Sequence, residues 1–219
     1  MSSVLIIACG ALAREIHALI VANGWQDVKL ECLPADLHNR PQQIPDAVRR
    51  KLDQAAGQPR ILVAYADCGT GGRLDRVLAE YKVDRLPGAH CYDVYAGESV
   101  IAALSEREPG TFYLTDFLAR HFDRLVIEEL GIARHPELTS LYFGQYRRLV
   151  YLSQRDDPAL QAAARRAAER LGLAFEYRHT GYGELETSLV RFVGAVATVE
   201  GRDGRTGRRV LTSAHGERG

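Results

Sequence analysis

The chain has no net charge: 28 Lys and Arg residues balance 28 Asp and Glu. Proteins that coat nucleic acid usually carry a basic excess, so no nucleic-acid partner is expected. No apolar run approaches the roughly 20 residues needed to span a bilayer, so no membrane partner is expected either. No basic leader precedes the apolar residues 4–8, and no small-residue cleavage site follows an extended apolar region, which argues against a signal peptide. The expected location is the cytoplasm. Cysteines stay reduced there, so the four cysteines read as thiols or metal ligands rather than disulfides.

Several motifs are also missing. Without a C-x-x-C pair the chain is not a zinc ribbon. There is no G-x-x-x-x-G-K-[ST] phosphate loop and no G-x-S-x-G nucleophile elbow. The turn Cys68-Gly69-Thr70-Gly71-Gly72 has the look of a dinucleotide loop but lacks G-x-G-x-x-G, which counts against NAD.

The 219 residues are 46% apolar and 26% charged, enough for one sizeable α/β core. Residues 1–199 read as a single α/β domain and 200–219, rich in Gly and Arg, as a flexible tail. Short apolar runs at 4–8, 28–33, 60–65, 147–153 and 173–177 read as strands. Between them lie helical patterns: Leu12, Ile16, Leu19 and Ile20; Ile44, Val48 and Leu52; Leu74, Val77, Leu78 and Tyr81. Thr115 suits an N-cap and Pro158 a first helical turn. Residues 83–115 are less regular, with Thr111, Tyr113 and Thr115 in a Gly-Pro-rich turn that could cover a pocket. Alternating strands and helices predict a single doubly wound, mostly parallel sheet, flavodoxin-like or Rossmann-like.

Strand one ends in Cys9-Gly10, and Cys68-Gly69 follows strand three. In doubly wound sheets ligands bind outside the carboxyl ends of the strands, and adjacent strands lie about 4.8 Å apart. Two such thiols could share one metal ion, with Zn–S bonds of about 2.3 Å. Gly10 and Gly69 would let the backbone turn and come close to the bound group. Cys91, near the start of a short helix, supplies a third sulfur. His90 beside it is the weaker choice, since neighbours on an extended chain point opposite ways. Any one of these cysteines taken alone could simply pack in a core. Cys32, inside strand two, reads as a core residue. His38, in Leu37-His38-Asn39-Arg40-Pro41, could bind substrate or act as a base, or be a surface loop residue. Glu15 could reach the site from the first helix or be a solvated carboxylate.

The segments Ala8-Cys9-Gly10-Ala11-Leu12-Ala13-Arg14-Glu15, Leu37-His38-Asn39-Arg40-Pro41, Asp67-Cys68-Gly69-Thr70-Gly71 and His90-Cys91-Tyr92 together resemble the bacterial and archaeal family DUF1638. So do Gly110-Thr111-Phe112-Tyr113-Leu114-Thr115 and Gly181-Tyr182-Gly183, the likeness running from about Val4 to Val193. That family was catalogued without a function. The resemblance implies company with corrinoid-dependent methyl-transfer systems, which suits three thiolates on one metal.

The expectation is therefore a zinc site of Cys9, Cys68 and Cys91 with an open fourth position. His38 would place the substrate of a thiol or corrinoid-linked methyl or alkyl transfer. The partner would be a small molecule or a corrinoid protein. Two alternatives stay open: a [4Fe–4S] cluster with one open iron, and a metal or corrinoid-binding module without turnover.

Overall fold

β1 (Val4–Cys9) is buried at every position, as its unbroken apolar run requires of a strand covered on both faces. A short 3-10 turn (Gly10–Leu12) leads into α1 (Ala13–Ala22), and β2 (Val28–Leu33) follows. Two further 3-10 turns (Ala35–Asn39 and Pro41–Gln43) precede α2 (Ile44–Gln54), whose Ile44, Val48 and Leu52 are buried as their spacing demands. β3 (Arg60–Ala64), α3 (Arg73–Tyr81) and a two-residue β4 (Asp84–Arg85) complete the first half. The computed structural model describes residues 3–200, with side chains from 3 to 194. The expected tail therefore lies, but for its first residue, outside the described residues.

The irregular middle is helical: α4 (Cys91–Ala96) and α5 (Glu98–Arg107). Residues Thr111–Thr115, read from sequence as a turn, form β5. Then come α6 (Asp116–Arg120), a π-helical turn (Asp123–Glu128), α7 (Leu138–Phe143), β6 (Arg148–Ser153), α8 (Pro158–Leu171), β7 (Ala174–His179) and α9 (Gly183–Glu200). The hydroxyl of Thr115 accepts the Leu118 N–H at the start of α6, as an N-cap should.

The α/β class holds and every described strand pairing is parallel, but the strands divide into two sheets. One has the order β2-β1-β3-β4 and the other β5-β6-β7. β4 is the reason a single sheet fails. With only Asp84 and Arg85 paired to β3, it is too short and too polar to template a fifth strand. The chain instead leaves through α4 and α5 and builds a second sheet with its own core around Leu149, Tyr151 and Leu114. α9 returns to the first half, burying Leu185 and Leu189 among the residues of β1, β3 and α4.

Candidate metal centre

β1 and β3 are parallel neighbours, paired from Val4 with Arg60 to Ala8 with Ala64. Cys9 closes β1. After β3 the chain runs on through Tyr65, Ala66 and Asp67 before Cys68, so the two cysteines leave neighbouring strand ends, as the echoed Cys-Gly pattern suggested. Cys68 adopts the left-handed conformation (φ 51°), rare for a residue with a side chain. Two main-chain bonds keep it there. The N–H groups of Asp67 and Cys68 donate to the carbonyls of Gly88 (3.1 Å) and Ala89 (2.8 Å). These lace the loop after β3 to the segment preceding α4, which carries Cys91. That segment is held in turn by Asp93, whose carboxylate accepts the N–H groups of Ala89 and His90 at 2.9 and 2.8 Å.

His38 stands between two of the thiols. Its Nδ1 is 3.6 Å from the sulfur of Cys9, and its Nε2 is 3.9 Å from that of Cys91. The 3-10 turn carrying it is tied to the second half by Asn39, whose amide donates to the Leu125 carbonyl and to Glu129 Oε2 (2.5 Å). His38 is exposed as a residue, while its two ring nitrogens approach one thiol each. Desolvation, aided by the charge of His90, lowers its pKa and favours the neutral imidazole.

Burial pushes the Cys9 thiol up to about 11 and the Cys68 thiol to about 12. Cys91 is raised as well, by burial first and then by Cys68 and Cys9. Cys9 also raises the Cys68 thiol, while Cys32 adds a smaller upward push on Cys9 itself. Tyr65 is 1% exposed and its hydroxyl has no well-formed hydrogen bond; the Cys9 sulfur is the polar group it meets, and the contact lowers that thiol against the upward push of burial. Nothing in the spacing of the sequence distinguishes Tyr65 from an ordinary strand residue.

Cys9, Cys68, Cys91 and His38 are thus gathered, but not yet at bonding distance. Among the described residues no three His, Cys, Asp or Glu side chains form a ready-made metal-ligand cluster. His90 is exposed, with its ring 5.3 Å from that of Tyr92, while Cys91 is buried. Cys32, expected in the core, is exposed, because β2 is the outer strand of its sheet and Cys32 faces solvent there. Gly10 and Gly69 have reasons of their own. A Cβ on Gly10 would lie 2.8 Å from the Leu33 carbonyl oxygen, and Gly69 turns at φ 80°. The amides of Gly71 and Gly72 are taken by the Asp67 carboxylate (3.1 and 3.0 Å), so the glycine-rich turn cradles a group of the chain itself.

A cavity of about 240 Å³ opens between the two halves beside this cluster, with His38 and Cys91 in its wall and Phe112, Phe117 and Leu118 opposite. The family model described as "Protein of unknown function (DUF1638)" matches residues 32–189, which include His38, Cys68 and Cys91 and begin after Cys9. The chain belongs to the DUF1638 family. No curated protein and no solved structure matches it.

Behind the cavity wall of this DUF1638 chain, Glu15 is buried at 3% exposure rather than solvated. Asp116, fully buried, accepts the Tyr151 hydroxyl (2.7 Å) and the Gln154 N–H (3.0 Å) on one oxygen. Its other oxygen and Glu15 Oε2 have no hydrogen-bond partner. Among the described residues no helix is long and apolar enough to cross a membrane.

Proposed function

We propose that this protein holds a soft divalent cation, zinc, on the sulfurs of Cys9, Cys68 and Cys91. The reaction would be methyl or alkyl transfer to or from a small sulfur compound admitted beside it, in a reducing cytoplasm. The observation that carries this reading is the buried Tyr65 hydroxyl set against Cys9 without a well-formed hydrogen bond to it or to any other group. A buried O–H left unpaired costs about 1–3 kcal/mol. It becomes a good donor once Cys9 carries the negative charge of a metal-bound thiolate.

The titration directions support the same reading. Raised thiols beside a neutral imidazole do not form the thiolate–imidazolium pair of a cysteine nucleophile. A divalent cation would supply the missing charge, drawing the protons off the thiols and holding a substrate sulfur in its ionised form. The backbone that carries Cys68 and Cys91 is fixed by the bonds from Asp67, Cys68 and Asp93. His38 is then the group that receives a proton from an incoming thiol, through the Nε2 that lies at the cavity wall.

The cavity volume favours a small-molecule partner. At about 240 Å³ it lies below the ~300–1,000 Å³ of drug-sized pockets, too small for a corrin ring. A corrinoid protein would have to present its methyl group from outside.

The test is anaerobic titration of the protein with zinc at pH 7 in buffers of different ionisation enthalpy. One ion should bind and displace about three protons, because three thiols begin protonated. Release of no protons, or binding unchanged in Cys91→Ser, would end the proposal. Iron and labile sulfide in the purified protein, with a brown colour, would replace zinc by a cluster.

A further inference from the structure

The cavity itself narrows the substrate. Among its described lining residues there is no Asp, Glu, Lys or Arg. Its polar groups are all uncharged side chains, and beyond the Tyr92 and Tyr95 hydroxyls they are spoken for. The Asn39 amide is given to Leu125 and Glu129, the Thr115 hydroxyl to the Leu118 N–H, and the His38 ring lies between Cys9 and Cys91. Asp116 follows Thr115 in sequence, but one of its oxygens is bonded to Tyr151 and Gln154. Apart from the Tyr92 and Tyr95 hydroxyls the rest of the wall is hydrocarbon, contributed by both halves, including Leu12, Val126 and Phe143. A charged group placed there would lose its water and gain no counter-ion. Desolvation of that kind strongly disfavours the charged form.

We infer that the substrate entering this cavity is an uncharged, short-chain thiol or thioether, its hydrocarbon part lying against Phe112, Phe117 and Val126 and its sulfur directed at the Cys91–His38 wall. The preference for sulfur rests on the metal reading above, since a soft thiolate-bound cation selects soft donors. The demand for neutrality and small size rests on the cavity alone. Amino-acid thiols, whose ammonium and carboxylate groups would both be buried, are excluded, and so are thiols carried on large polyanionic cofactors.

The experiment uses the full-length, zinc-loaded protein and four probes of similar length: 1-butanethiol, methyl propyl sulfide, 3-mercaptopropionate and cysteamine. Binding is followed by calorimetry and by the shift in melting temperature. The two neutral probes should bind and stabilise, and the anionic and cationic ones should bind more than about a hundredfold more weakly. Val126→Phe, which fills the cavity, should abolish binding of the neutral probes while leaving bound zinc unchanged. Leu118→Phe serves if the first variant does not fold. Equal or tighter binding of 3-mercaptopropionate or cysteamine overturns the inference, as does neutral-probe binding that survives both filled cavities. Failure of the metal reading looks different: zinc does not bind, and 1-butanol matches 1-butanethiol in the unaltered cavity. Zinc bound with no neutral probe accepted sinks the substrate class alone.

Discussion

At the scale of the residue, the division of labour among the cysteines follows from where each sulfur faces. Cys91→Ser should lose most bound zinc, because a serine hydroxyl is a harder and far less acidic ligand. Cys32→Ser should keep the metal-to-protein ratio, since its thiol faces solvent on an edge strand. His90→Ala should keep it too, since that ring is exposed. Tyr65→Phe should fold normally and bind zinc about ten- to a hundredfold more weakly, the loss of one hydrogen bond to a charged sulfur. Zinc content by elemental analysis and affinity by competition with a chelator decide among these. A Tyr65→Phe variant with unaltered affinity would remove the observation on which the metal reading rests.

At the scale of the element, the second sheet is held to α5 by charge as well as by its apolar core. Glu176 on β7 accepts from Arg148 on β6 (2.7 Å), from Arg107 of α5 (2.5 Å) and from Arg178 (3.0 Å). Burial alone would raise its pKa, but the Arg178 hydrogen bond and the charges of Arg107 and Arg148 prevail and hold it below the ordinary value of 4.5. A depressed acid stabilises the fold above its unfolded pKa, and that contribution is lost as pH falls through the folded value. Glu176→Gln should therefore cost about 1–3 kcal/mol at pH 7, much of it from leaving the Arg148 guanidinium, 10% exposed, without its carboxylate. Urea unfolding at pH 7 and pH 3 checks this: the gap between variant and parent should close at the lower pH.

At the scale of the whole molecule, the two halves meet over buried acid groups. Glu15 comes from α1 of the first half, and desolvation raises its pKa, with Asp116 of the second half adding to the shift. The sign is opposite to that of Glu176. A raised acid contributes fully below its unfolded pKa near 4.5, and its contribution is lost as pH rises through the folded value. Glu15→Gln should leave the melting temperature unchanged at pH 4 and raise it at pH 7, because the amide carries no charge to desolvate. A lower melting temperature for Glu15→Gln at pH 7 would show that the ionised carboxylate is stabilising, held by Arg120 and Arg155, which lower its pKa.

Local pattern by itself determined the alternation of strands and helices, the limits of β2 at Val28–Leu33, the cap at Thr115 and the first turn of α8 at Pro158. It also singled out Cys9 at the end of β1, Cys68 and His38 in the loops after β3 and β2, and Cys91 at the start of α4, the end of a parallel sheet where ligands bind. Such features depend on neighbours a few residues away, and periodicity records them. The number of sheets was not legible, since it turned on β4 being two residues long. Nor was the burial of Glu15, the exposure of Cys32 or the buried hydroxyl of Tyr65, since each depends on which distant segment covers it. His38 touches Cys9 across 29 residues and Cys91 across 53, contacts that no local pattern encodes. Only the tertiary structure could close a neutral cavity beside those thiols, because its walls come from both halves of the chain.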